Sequence, residues 1–569
     1  MARPEKVRLG EILVTQKLLT PEQLKLSLDE QKRTGRKLGR VFIEQGYVTE
    51  QEISEALAKQ LQIPYINLKY YNIKPDIAQK LPETQARRFR AILLEENPKA
   101  TKVGMADPTD INAYDEITRI VKRDIEIAVV TESQLLATID RVYRRTGEIT
   151  GLAQELQAEL GDESVDFGAL AATPGLEEAP VVKLLQSVFE DASQVRASDV
   201  HIEPQERKLV IRFRIDGVLH LQTEADAKIA SALVLRLKLM SGLDISEKRL
   251  PQDGRFNVKV RNSMVDVRIS TMPTQHGESV VMRLLNQGSG ILTFDKIGMP
   301  QRILERVRAV LQRPSGMLLV TGPTGSGKTT TLYAALSELN TPERKIITVE
   351  DPVEYRLPGI NQVQVHEKIE LTFARVLRSA LRQDPDVILV GEMRDQETVE
   401  TGLRAAMTGH LVLSTLHTND AVTTPIRLLD MGAPRYMVAL SLQMVLAQRL
   451  VRVICESCSE NYTLLPGEHA WLKQIVGDEV DAHRYIKGKG CSHCNGTGYL
   501  GRTGVYEMLE MTKPIVEAAN QPDTGVFIEV ATREMGKHTL TAHAVDLVVA
   551  GKTTAEEAMR ISNQFEDVG

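Results

Sequence analysis

The pattern with the most specific chemistry is a glycine-rich loop between a short apolar run and a helical segment. Residues 317–320 predict a buried parallel strand, and the apolar spacing after residue 330 predicts a helix. Between them lies Gly322-Pro323-Thr324-Gly325-Ser326-Gly327-Lys328-Thr329-Thr330. In this context a G-x-x-x-x-G-K-[ST] loop binds polyphosphate, because its glycines turn backbone N–H groups inward and the helix N-terminus adds positive charge. Lys328 can then reach the β and γ phosphates and Thr329 can ligand Mg²⁺, so the sequence predicts a site for a nucleoside triphosphate such as ATP.

Acidic and histidine residues follow three further apolar runs, each of which predicts a buried strand. The runs lead into Glu350-Asp-Pro-Val-Glu354, into Gly391-Glu392 and into the segment that ends at His417. Open α/β sheets place their ligand chemistry at the carboxyl ends of parallel strands. We therefore expect these side chains to converge on the glycine-rich loop.

The chemistry of ATP hydrolysis suggests a role for each of these residues. It requires a group that orients the attacking water and an acid that holds Mg²⁺ or its waters. Glu350 is the first choice for the water, and Glu354 is the alternative. Glu392, which follows Gly391 where an Asp is usual, is assigned to the metal shell. His417 is predicted to sense the γ-phosphate, although a histidine at a strand end can also be purely structural.

Four cysteines form two C-x-x-C pairs, Cys455 with Cys458 and Cys491 with Cys494. The spacing is that of a tetrathiolate zinc site, and a reducing compartment favours metal over disulfides. Four sulfurs leave no open coordination position, so we predict a structural site with His493 as a bystander. The alternative is a set of unpaired surface thiols.

Length, charge and the N-terminus restrict the class of protein. At 569 residues the chain is too long for one core, so three or more domains are expected. A net charge of −6 argues against a protein that coats nucleic acid. The N-terminus lacks the apolar core of a signal peptide, and no run of about 18 apolar residues could span a membrane. We expect a cytoplasmic protein.

Residues 8–60 contain an internal repeat. Arg8-Leu-Gly-Glu-Ile-Leu-Val … Leu24-Lys-Leu-Ser-Leu28-Asp-Glu-Gln31 recurs as Lys37-Leu-Gly-Arg-Val-Phe-Ile … Ile53-Ser-Glu-Ala-Leu57-Ala-Lys-Gln60. Each copy has a helix, a turn, a capping signal (Thr20-Pro-Glu-Gln23 or Thr49-Glu-Gln-Glu52) and a second helix. The sequence predicts two tandem helical hairpins, and a plain helical adaptor with a leucine core is the simplest interpretation.

The repeated pattern RLGxxL followed by LxxxLxxQ resembles the MshEN domain, a receptor module for cyclic di-GMP. It departs where Lys37 replaces an Arg and where Phe42 and Ile53 replace Leu residues. The resemblance implies apolar side chains over the guanine and ribose faces, glycines that admit the phosphates, and basic or amide groups that bind them. The implied contacts are Arg8, Leu9, Gly10, Leu24, Leu28, Gln31, Lys37, Leu38, Gly39, Ile53, Leu57 and Gln60. A structural hairpin pair without ligand is the alternative.

Residues 64–145 alternate strand-like runs with helices and predict a small α/β lobe. Its turn Gly104-Met-Ala-Asp107 is of the kind this family carries, so the resemblance implies Asp107 as a further ligand contact, although Asp at a turn is ordinarily structural. The acidic, small-residue-rich stretch 148–178 has no period and predicts a flexible linker. The receptor domain is therefore predicted to span residues 1–147.

The segment 179–298 carries an amphipathic helix at 181–190 and a strand, 211–215, that places its arginines on one sheet face. Its motifs resemble the PAS-like second N-terminal domain of secretion and pilus ATPases of the GspE and PilB group. The resemblance implies that arginines of this domain reach the triphosphate and stabilise charge on the γ-phosphoryl oxygens. Arg255, Arg268 and Arg283 are the predicted fingers. For any one of them a structural salt bridge is the alternative.

The ordered set of Walker A, Asp box, Walker B and His box is similar to that of the secretion-superfamily RecA-like ATPases. It assigns residues 299–569 to the motor domain, with a zinc insert at 451–500 and closing helices. The expected fold class is α/β and multidomain. A helical-repeat and small α/β domain comes first, a PAS-like α/β domain follows, and a RecA-like P-loop lobe is last.

The resemblance covers nearly the whole chain and implies a homohexameric ATPase that powers type IV pilus assembly, most like the MSHA class, under control of cyclic di-GMP. It implies an inner-membrane platform protein as partner, membrane association only through partners at the inner face, and no nucleic acid. A type II secretion ATPase shares every motor motif and is the main alternative. A nucleic-acid translocase and a non-enzymatic nucleotide sensor are the other rivals.

Overall fold

The computed structural model describes residues 9–34, 38–143, 146–160, 180–260, 263–286 and 293–562. The chain divides into two units. The first joins Met1–Leu285 with the cysteine-bearing segments Cys455–Ser459 and Gly488–Gly498. The second consists of Asn286–Ile454, Glu460–Lys487 and Tyr499–Gly569. Each unit has hydrophobic cores of its own.

Two helical hairpins begin the described chain, as the internal repeat predicts. Their helices are α1 (Leu9–Thr15), α2 (Pro21–Thr34), α3 (Leu38–Glu44) and α4 (Glu50–Leu61). A reciprocal capping box starts the second helix of each copy. Thr20 and Gln23 exchange N–H···O bonds of 2.9 and 3.2 Å, and Thr49 and Glu52 exchange bonds of 2.7 and 3.2 Å. The predicted capping signals are therefore confirmed.

A small α/β lobe, residues 64–143, follows the hairpins. Its elements are α5 (Pro75–Ala78), α6 (Glu83–Phe89), β1 (Ala91–Glu96), β2 (Thr101–Met105), α7 (Ile111–Val121), β3 (Ile125–Val129) and α8 (Glu132–Val142). The sheet order is β1-β2-β3, with β1 antiparallel and β3 parallel to β2. Apolar residues of the strands and helices share one core, so the predicted lobe is confirmed.

The stretch predicted as a flexible linker contains a helix, α9 (Thr146–Leu160). Ile149, Ala153 and Leu156 are buried in the core of the domain that follows. Gln157 Nε2 also donates to Asp226 Oδ2 at 3.1 Å. The prediction is wrong for residues 148–160, because three apolar side chains at helical spacing gain a tertiary surface that composition alone does not reveal. The rest of the predicted linker, 161–178, lies outside the described residues.

A six-stranded domain occupies residues 180–286. Its elements are α10 (Pro180–Gln194), β4 (Asp199–Pro204), β5 (Lys208–Ile215), β6 (Val218–Asp226), α11 (Ala230–Ser241), β7 (Gln252–Val260), β8 (Ser263–Thr274) and β9 (Gly277–Asn286). The sheet order is β6-β5-β4-β9-β8-β7. The described ladders are antiparallel, and the two helices pack on the sheet around a common core. The predicted amphipathic helix is α10.

The second unit is built on a seven-stranded sheet in the order β12-β11-β13-β14-β10-β15-β18. Its strands are β10 (Gly316–Thr321), β11 (Ile346–Glu350), β12 (Asn361–Gln364), β13 (Val387–Val390), β14 (Leu411–Leu416), β15 (Leu442–Ile454) and β18 (Tyr499–Glu510). Six strands are parallel, and β18 is antiparallel to β15. Along β10, Met317 and Leu319 face one core and Leu318 and Val320 the other. Burial on both faces explains the continuous apolar run.

Helices cover both faces of this sheet. They are α12 (Gln301–Leu311), α13 (Lys328–Leu339), α14 (Phe373–Ala380), α15 (Gln396–Met407), α16 (Thr423–Asp430), α17 (Arg435–Ser441), α18 (Pro466–Val476), α19 (Lys513–Ala519), α20 (Thr524–Met535), α21 (Leu540–Val549) and α22 (Ala555–Ser562). The short strands β16 (Ser459–Asn461) and β17 (Ile486–Gly488) form a separate ribbon. Within the described ranges, no helix is both long enough and apolar enough for a membrane crossing.

Candidate functional site

The glycine-rich loop connects β10 to α13 at the carboxyl edge of the parallel sheet. Gly322, Gly325 and Gly327 have φ angles of 145°, 80° and 89°, which glycine adopts at little cost. A Cβ on Gly322 would lie 2.4 Å from the carbonyl oxygen of Gln448. A side chain at position 322 would therefore push the loop away from β15.

Lys328 begins α13 and folds back over the loop. Its Nζ donates to the carbonyl oxygens of Gly322 at 2.7 Å and Pro323 at 3.1 Å. Burial lowers the pKa of Lys328 to about 8, and the carboxylate of Glu392 opposes that fall. Ser326 Oγ is buried and, among the described residues, has no hydrogen-bond partner. A polyphosphate would supply both the negative charge and the acceptor that these two groups lack, so the loop fits ATP.

Four of the remaining residues of the glycine-rich loop are exposed. They are Thr324, Gly325, Thr329 and Thr330. The hydroxyl of Thr329 lies in the first turn of α13, where a P-loop threonine ligands Mg²⁺. The exposed Thr329 hydroxyl therefore suits a ligand of Mg²⁺.

Glu350 ends β11 and is 4% exposed. Its carboxylate accepts hydrogen bonds from the hydroxyls of Tyr333 and Thr348, both at 2.5 Å, and from Gln362 Nε2 at 3.3 Å. Burial, followed by this carboxylate, raises the pKa of Tyr333 above its ordinary range. Three donors thus hold Glu350 in one orientation. The alternative residue, Glu354, is half-buried, and its N–H donates to the Tyr333 hydroxyl at 3.3 Å.

Glu392 and His417 meet at the same edge of the sheet. His417 Nε2 lies 3.7 Å from Glu392 Oε2, and Arg394 Nη2 lies 2.5 Å from Glu392 Oε1. Burial and the charge of Lys328 lower the pKa of His417, whereas Glu392 acts in the opposite direction. Lys328, Glu392 and His417 therefore act on one another electrostatically. The structure therefore brings the Glu392 and His417 segments to the glycine-rich loop, as the sequence predicts.

Gly391 stands where an acidic residue is usual in this motif, and the structure supplies a steric reason. Its N–H donates to Val349 O at 2.7 Å. A Cβ at this position would lie 3.2 Å from the same oxygen and 3.4 Å from the Cα of Glu350. The two strands approach so closely here that a glycine is the best fit.

Two consecutive polar residues on β15 belong to the site, although sequence analysis missed them. Gln448 is buried; its Nε2 donates to Ser326 O at 2.7 Å, and its Oε1 accepts from Thr331 Oγ1 at 2.8 Å. Arg449 is also buried and donates to the carbonyl oxygen of Asn419 at 2.7 Å. The strand thus ties the glycine-rich loop to the segment after His417. A Gln-Arg pair inside the otherwise apolar run 444–451 of this strand was the available signal.

The predicted arginine fingers lie on the sheet of the six-stranded domain, where two of them pair with buried carboxylates. Arg255 Nε donates to Asp266 at 2.8 and 2.9 Å, and Arg283 Nε donates to Asp199 at 3.1 Å. Arg268 stands opposite Arg255 in the β7–β8 ladder. The Arg255 and Arg283 side chains are still 52% and 57% exposed, so both retain accessible guanidinium surface. Their role as fingers stays a prediction.

The four cysteines form one cluster, which we call the cysteine site. Their Sγ atoms all lie within 4.8 Å of one another, and three of the Sγ pairs are 3.8 Å apart. A tetrahedron with Zn–S bonds of about 2.3 Å has edges of about 3.8 Å. The backbone N–H groups of Cys491 and Gly498 donate to Cys494 Sγ at 3.2 Å, as they would to a ligating thiolate. The cluster therefore fits a tetrathiolate zinc ion.

The residues implied for cyclic di-GMP are only partly described. Arg8, Lys37 and the Leu9 side chain lie outside the described residues. Gly10 is in close contact with the second helix, since a Cβ there would lie 2.3 Å from Leu24 Cδ1. The remaining positions are half-buried at Leu24, Gln31, Leu38, Gly39 and Leu57, exposed at Leu28 and Gln60, and buried at Ile53.

Part of the repeat's apolar set also serves the hairpins' own core, and contact of these residues with a ligand stays a prediction. Ile53 belongs to the core of the hairpins, and Leu24, Leu38 and Leu57 pack against that core. Such a small core leaves few other apolar side chains to fill it. Asp107 accepts bonds from the N–H and hydroxyl of Thr109 at 3.1 and 2.6 Å, which is the structural turn role named as its alternative.

The parallel sheet, the glycine-rich loop and the converging Lys328, Glu392 and His417 define a RecA-like P-loop ATPase. Residues 175–560 match the family described as "Type II/IV secretion system protein", and residues 61–149 match the MshEN domain. The chain belongs to this family of secretion ATPases and carries a MshEN domain. The MshEN match begins where α4 ends, so the assignment of the repeat hairpins to that domain stays a prediction.

Individual relatives support this assignment along the whole chain. The chain is 39% identical over 567 residues to the Type IV pilus assembly ATPase PilB of Myxococcus xanthus, which covers 97% of this chain and 98% of that one. It is 38% identical over 568 residues to the Type II secretion system protein E of Xanthomonas campestris pv. campestris, covering 98% and 99%. The Legionella pneumophila ATPase DotB shares the fold, with a TM-score of 0.50 and 20% identity over 67% of this chain and 96% of that one.

Proposed function

We propose that the chain is a hexameric ATPase that drives type IV pilus assembly, most like the MSHA class, and that cyclic di-GMP regulates it. The observation that carries the proposal is the convergence of Lys328, Glu392 and His417 at the glycine-rich loop. Identity to the Myxococcus xanthus pilus assembly ATPase over 97% of the chain supports the pilus client. The MshEN match at 61–149 supports a cyclic di-GMP input.

Each residue of the site has a task in ATP hydrolysis. The N–H groups of the glycine-rich loop and the Lys328 ammonium bind the β and γ phosphates, and Thr329 and Glu392 hold Mg²⁺. When bound there, Mg²⁺ would neutralise charge that develops on the phosphate oxygens. Glu350, or Glu354 in its place, orients the attacking water. His417 contacts the γ-phosphate.

The proposal also includes the predicted arginine fingers, the cysteine site and the assembly in which the chain works. Arg255, Arg268 and Arg283 supply positive charge to the γ-phosphoryl oxygens, and six copies of the chain form the working ring. Cys455, Cys458, Cys491 and Cys494 hold a structural Zn²⁺. The ring works at the inner face of the inner membrane through a platform protein. It needs no nucleic acid.

A type II secretion ATPase is the second candidate. The specific observation in its favour is the 38% identity to the Xanthomonas campestris secretion protein over 98% of this chain. The motor residues are equally suited to either client.

Deletion of the gene in its host separates the two clients. We expect the deletion strain to lose surface pili and to keep normal levels of secreted proteins, and the wild-type gene to restore the pili. The matched control is Lys328→Ala, which removes the phosphate-binding ammonium and should fail to restore them. Intact pili together with loss of secreted proteins would instead establish the secretion role.

A further inference from the structure

The last helix of the α/β lobe packs against the second cysteine pair. Arg141 lies one residue before the end of α8, and its Nη2 is 2.8 Å from Nε2 of His493, the residue that precedes Cys494. The His493 ring is buried. Arg141 Nε is also buried and has no hydrogen-bond partner in the part of the chain that the structure describes. The guanidinium is half-buried, its Nη2 also donates to Thr138 Oγ1 at 3.0 Å, and negative charge nearby stabilises it.

The first cysteine pair contacts the same lobe. Lys69 Nζ lies 2.5 Å from Glu456 Oε2, and the Ser457 hydroxyl donates to the carbonyl oxygen of Lys69. Glu456 and Ser457 are the two residues between Cys455 and Cys458, just as His493 lies between the other two cysteines. Both C-x-x-C motifs therefore use residues between their cysteines to contact the lobe, and His493, predicted as a bystander to the metal, makes one of these contacts.

The chemistry of the cysteine site supplies the missing negative charge. Zn²⁺ bound by four thiolates carries a formal charge of about −2. Burial lowers the pKa of Arg141 to about 10, and negative charge on Cys491 and Cys455 opposes that fall. Without the metal, the two C-x-x-C turns lose the bonds that hold their four sulfurs together, and the residues between the cysteines lose their fixed positions against the lobe.

We propose that the cysteine site is a metal-dependent anchor for the α/β lobe: bound Zn²⁺ fixes the two C-x-x-C turns whose residues contact Arg141 and Lys69, and its loss releases the lobe. The anchor couples metal occupancy to the position of the regulatory lobe. It rests on the zinc assignment of the proposed function and is independent of the pilus client and of cyclic di-GMP.

A zero-length carbodiimide cross-link between Lys69 and Glu456 reports directly on docking, because it forms only when the amine and the carboxylate touch. The full-length, zinc-loaded chain is treated with carbodiimide, and the Lys69–Glu456 peptide is quantified by mass spectrometry. Glu456→Gln identifies the product by removing the reactive carboxylate. Bound zinc is measured in every sample.

We expect a strong cross-link in the zinc-loaded chain and a fall of about tenfold in Arg141→Ala, since truncation of a buried charged partner changes equilibria by at least that factor. The variant should keep its zinc. The matched control, Arg119→Ala, removes an arginine of the same lobe that is 81% exposed, and it should behave as wild type. Arg141→Lys, which keeps the charge, should retain more cross-link than Arg141→Ala. Chelation of wild type should abolish the product, and added Zn²⁺ should restore it.

The outcomes distinguish the anchor from the metal assignment. A zinc-loaded chain whose cross-link is unaffected both by Arg141→Ala and by chelation overturns the anchor alone. A chain that never binds Zn²⁺ overturns both the metal assignment and the anchor. If Arg141→Ala fails to fold, the chelation and readdition series on wild type decides the question.

Discussion

The side chain of Lys328 is half-buried, and this burial disfavours its charged form. Its ammonium is held by two carbonyl oxygens of the glycine-rich loop, and burial lowers its pKa to about 8 from an ordinary value of 10.5. Bound phosphates favour the charged form and so raise that pKa again. At any pH at which Lys328 is partly deprotonated in the free protein, ATP binding must therefore be accompanied by proton uptake.

The pKa of Lys328 predicts how the affinity for ATP depends on pH. The affinity for ATP should be constant below about pH 8 and should then fall by up to about tenfold per pH unit as Lys328 loses its proton in the free protein. Calorimetry between about pH 7 and pH 9.5, in buffers of different ionisation enthalpy, measures both the affinity and the proton uptake. In Lys328→Arg the guanidinium stays charged, so any residual affinity should not vary with pH. A constant wild-type affinity across this range would contradict the prediction.

At the scale of elements, β15 positions the phosphate-binding loop from outside the motif. Gln448 joins Ser326 of the loop to Thr331 of α13, and its backbone carbonyl lies against Gly322. Arg449, the next residue, holds the segment that follows His417. A single strand therefore fixes the relative placement of two site segments that are far apart in sequence.

We predict that Gln448→Leu raises the KM for ATP about tenfold, with a smaller change in kcat. The substitution removes two hydrogen bonds that shape the loop, each contributing about 1 kcal/mol, and leaves Ser326 and Thr331 with unpaired groups. Steady-state kinetics at saturating Mg²⁺ give both constants. Gln443→Leu, at the opposite end of the same strand, is the matched control and should leave KM unchanged. Equal losses of kcat in both variants, with KM unaltered, would mean that Gln448 serves only stability.

At the scale of the whole molecule, the repeat hairpins and the α/β lobe belong to the same unit as the cysteine site. The RecA-like sheet belongs to the other unit. The proposed regulatory site and the ATPase site therefore belong to separate units. The residues of the hairpins that would contact a ligand are far in sequence from every residue of the ATPase site.

We predict that the full-length chain binds cyclic di-GMP and that Arg8→Ala weakens this binding at least tenfold, because a charge-assisted phosphate contact contributes about 1.5–3 kcal/mol. Isothermal calorimetry on both proteins measures the effect. The matched control is Arg33→Ala, since Arg33 is 77% exposed and pairs with Glu30. No heat of binding at high micromolar ligand would reduce the hairpins to a structural role and leave the ATPase assignment intact.

Much of the architecture was predictable from local patterns. The capping boxes at Thr20 and Thr49 start their helices where the sequence places them. The parallel strands before the glycine-rich loop, Glu350 and Glu392 are continuous apolar runs because both sheet faces are covered. Helix caps, strand burial and P-loop geometry depend on residues close together in the chain, so a single sequence contains the information.

The sequence by itself therefore determined the ATPase class, the order of the domains and the four zinc-binding candidates. Only the tertiary structure decided that Glu350 is held by Tyr333, Thr348 and Gln362, and that Gln448 supports the loop. It also decided that residues 148–160 form a packed helix and that Arg141 meets His493. Apart from Thr348, which lies two residues from Glu350, these partners are distant in the chain. Whether such groups become partners depends on which surfaces the fold buries together, and no local pattern records that.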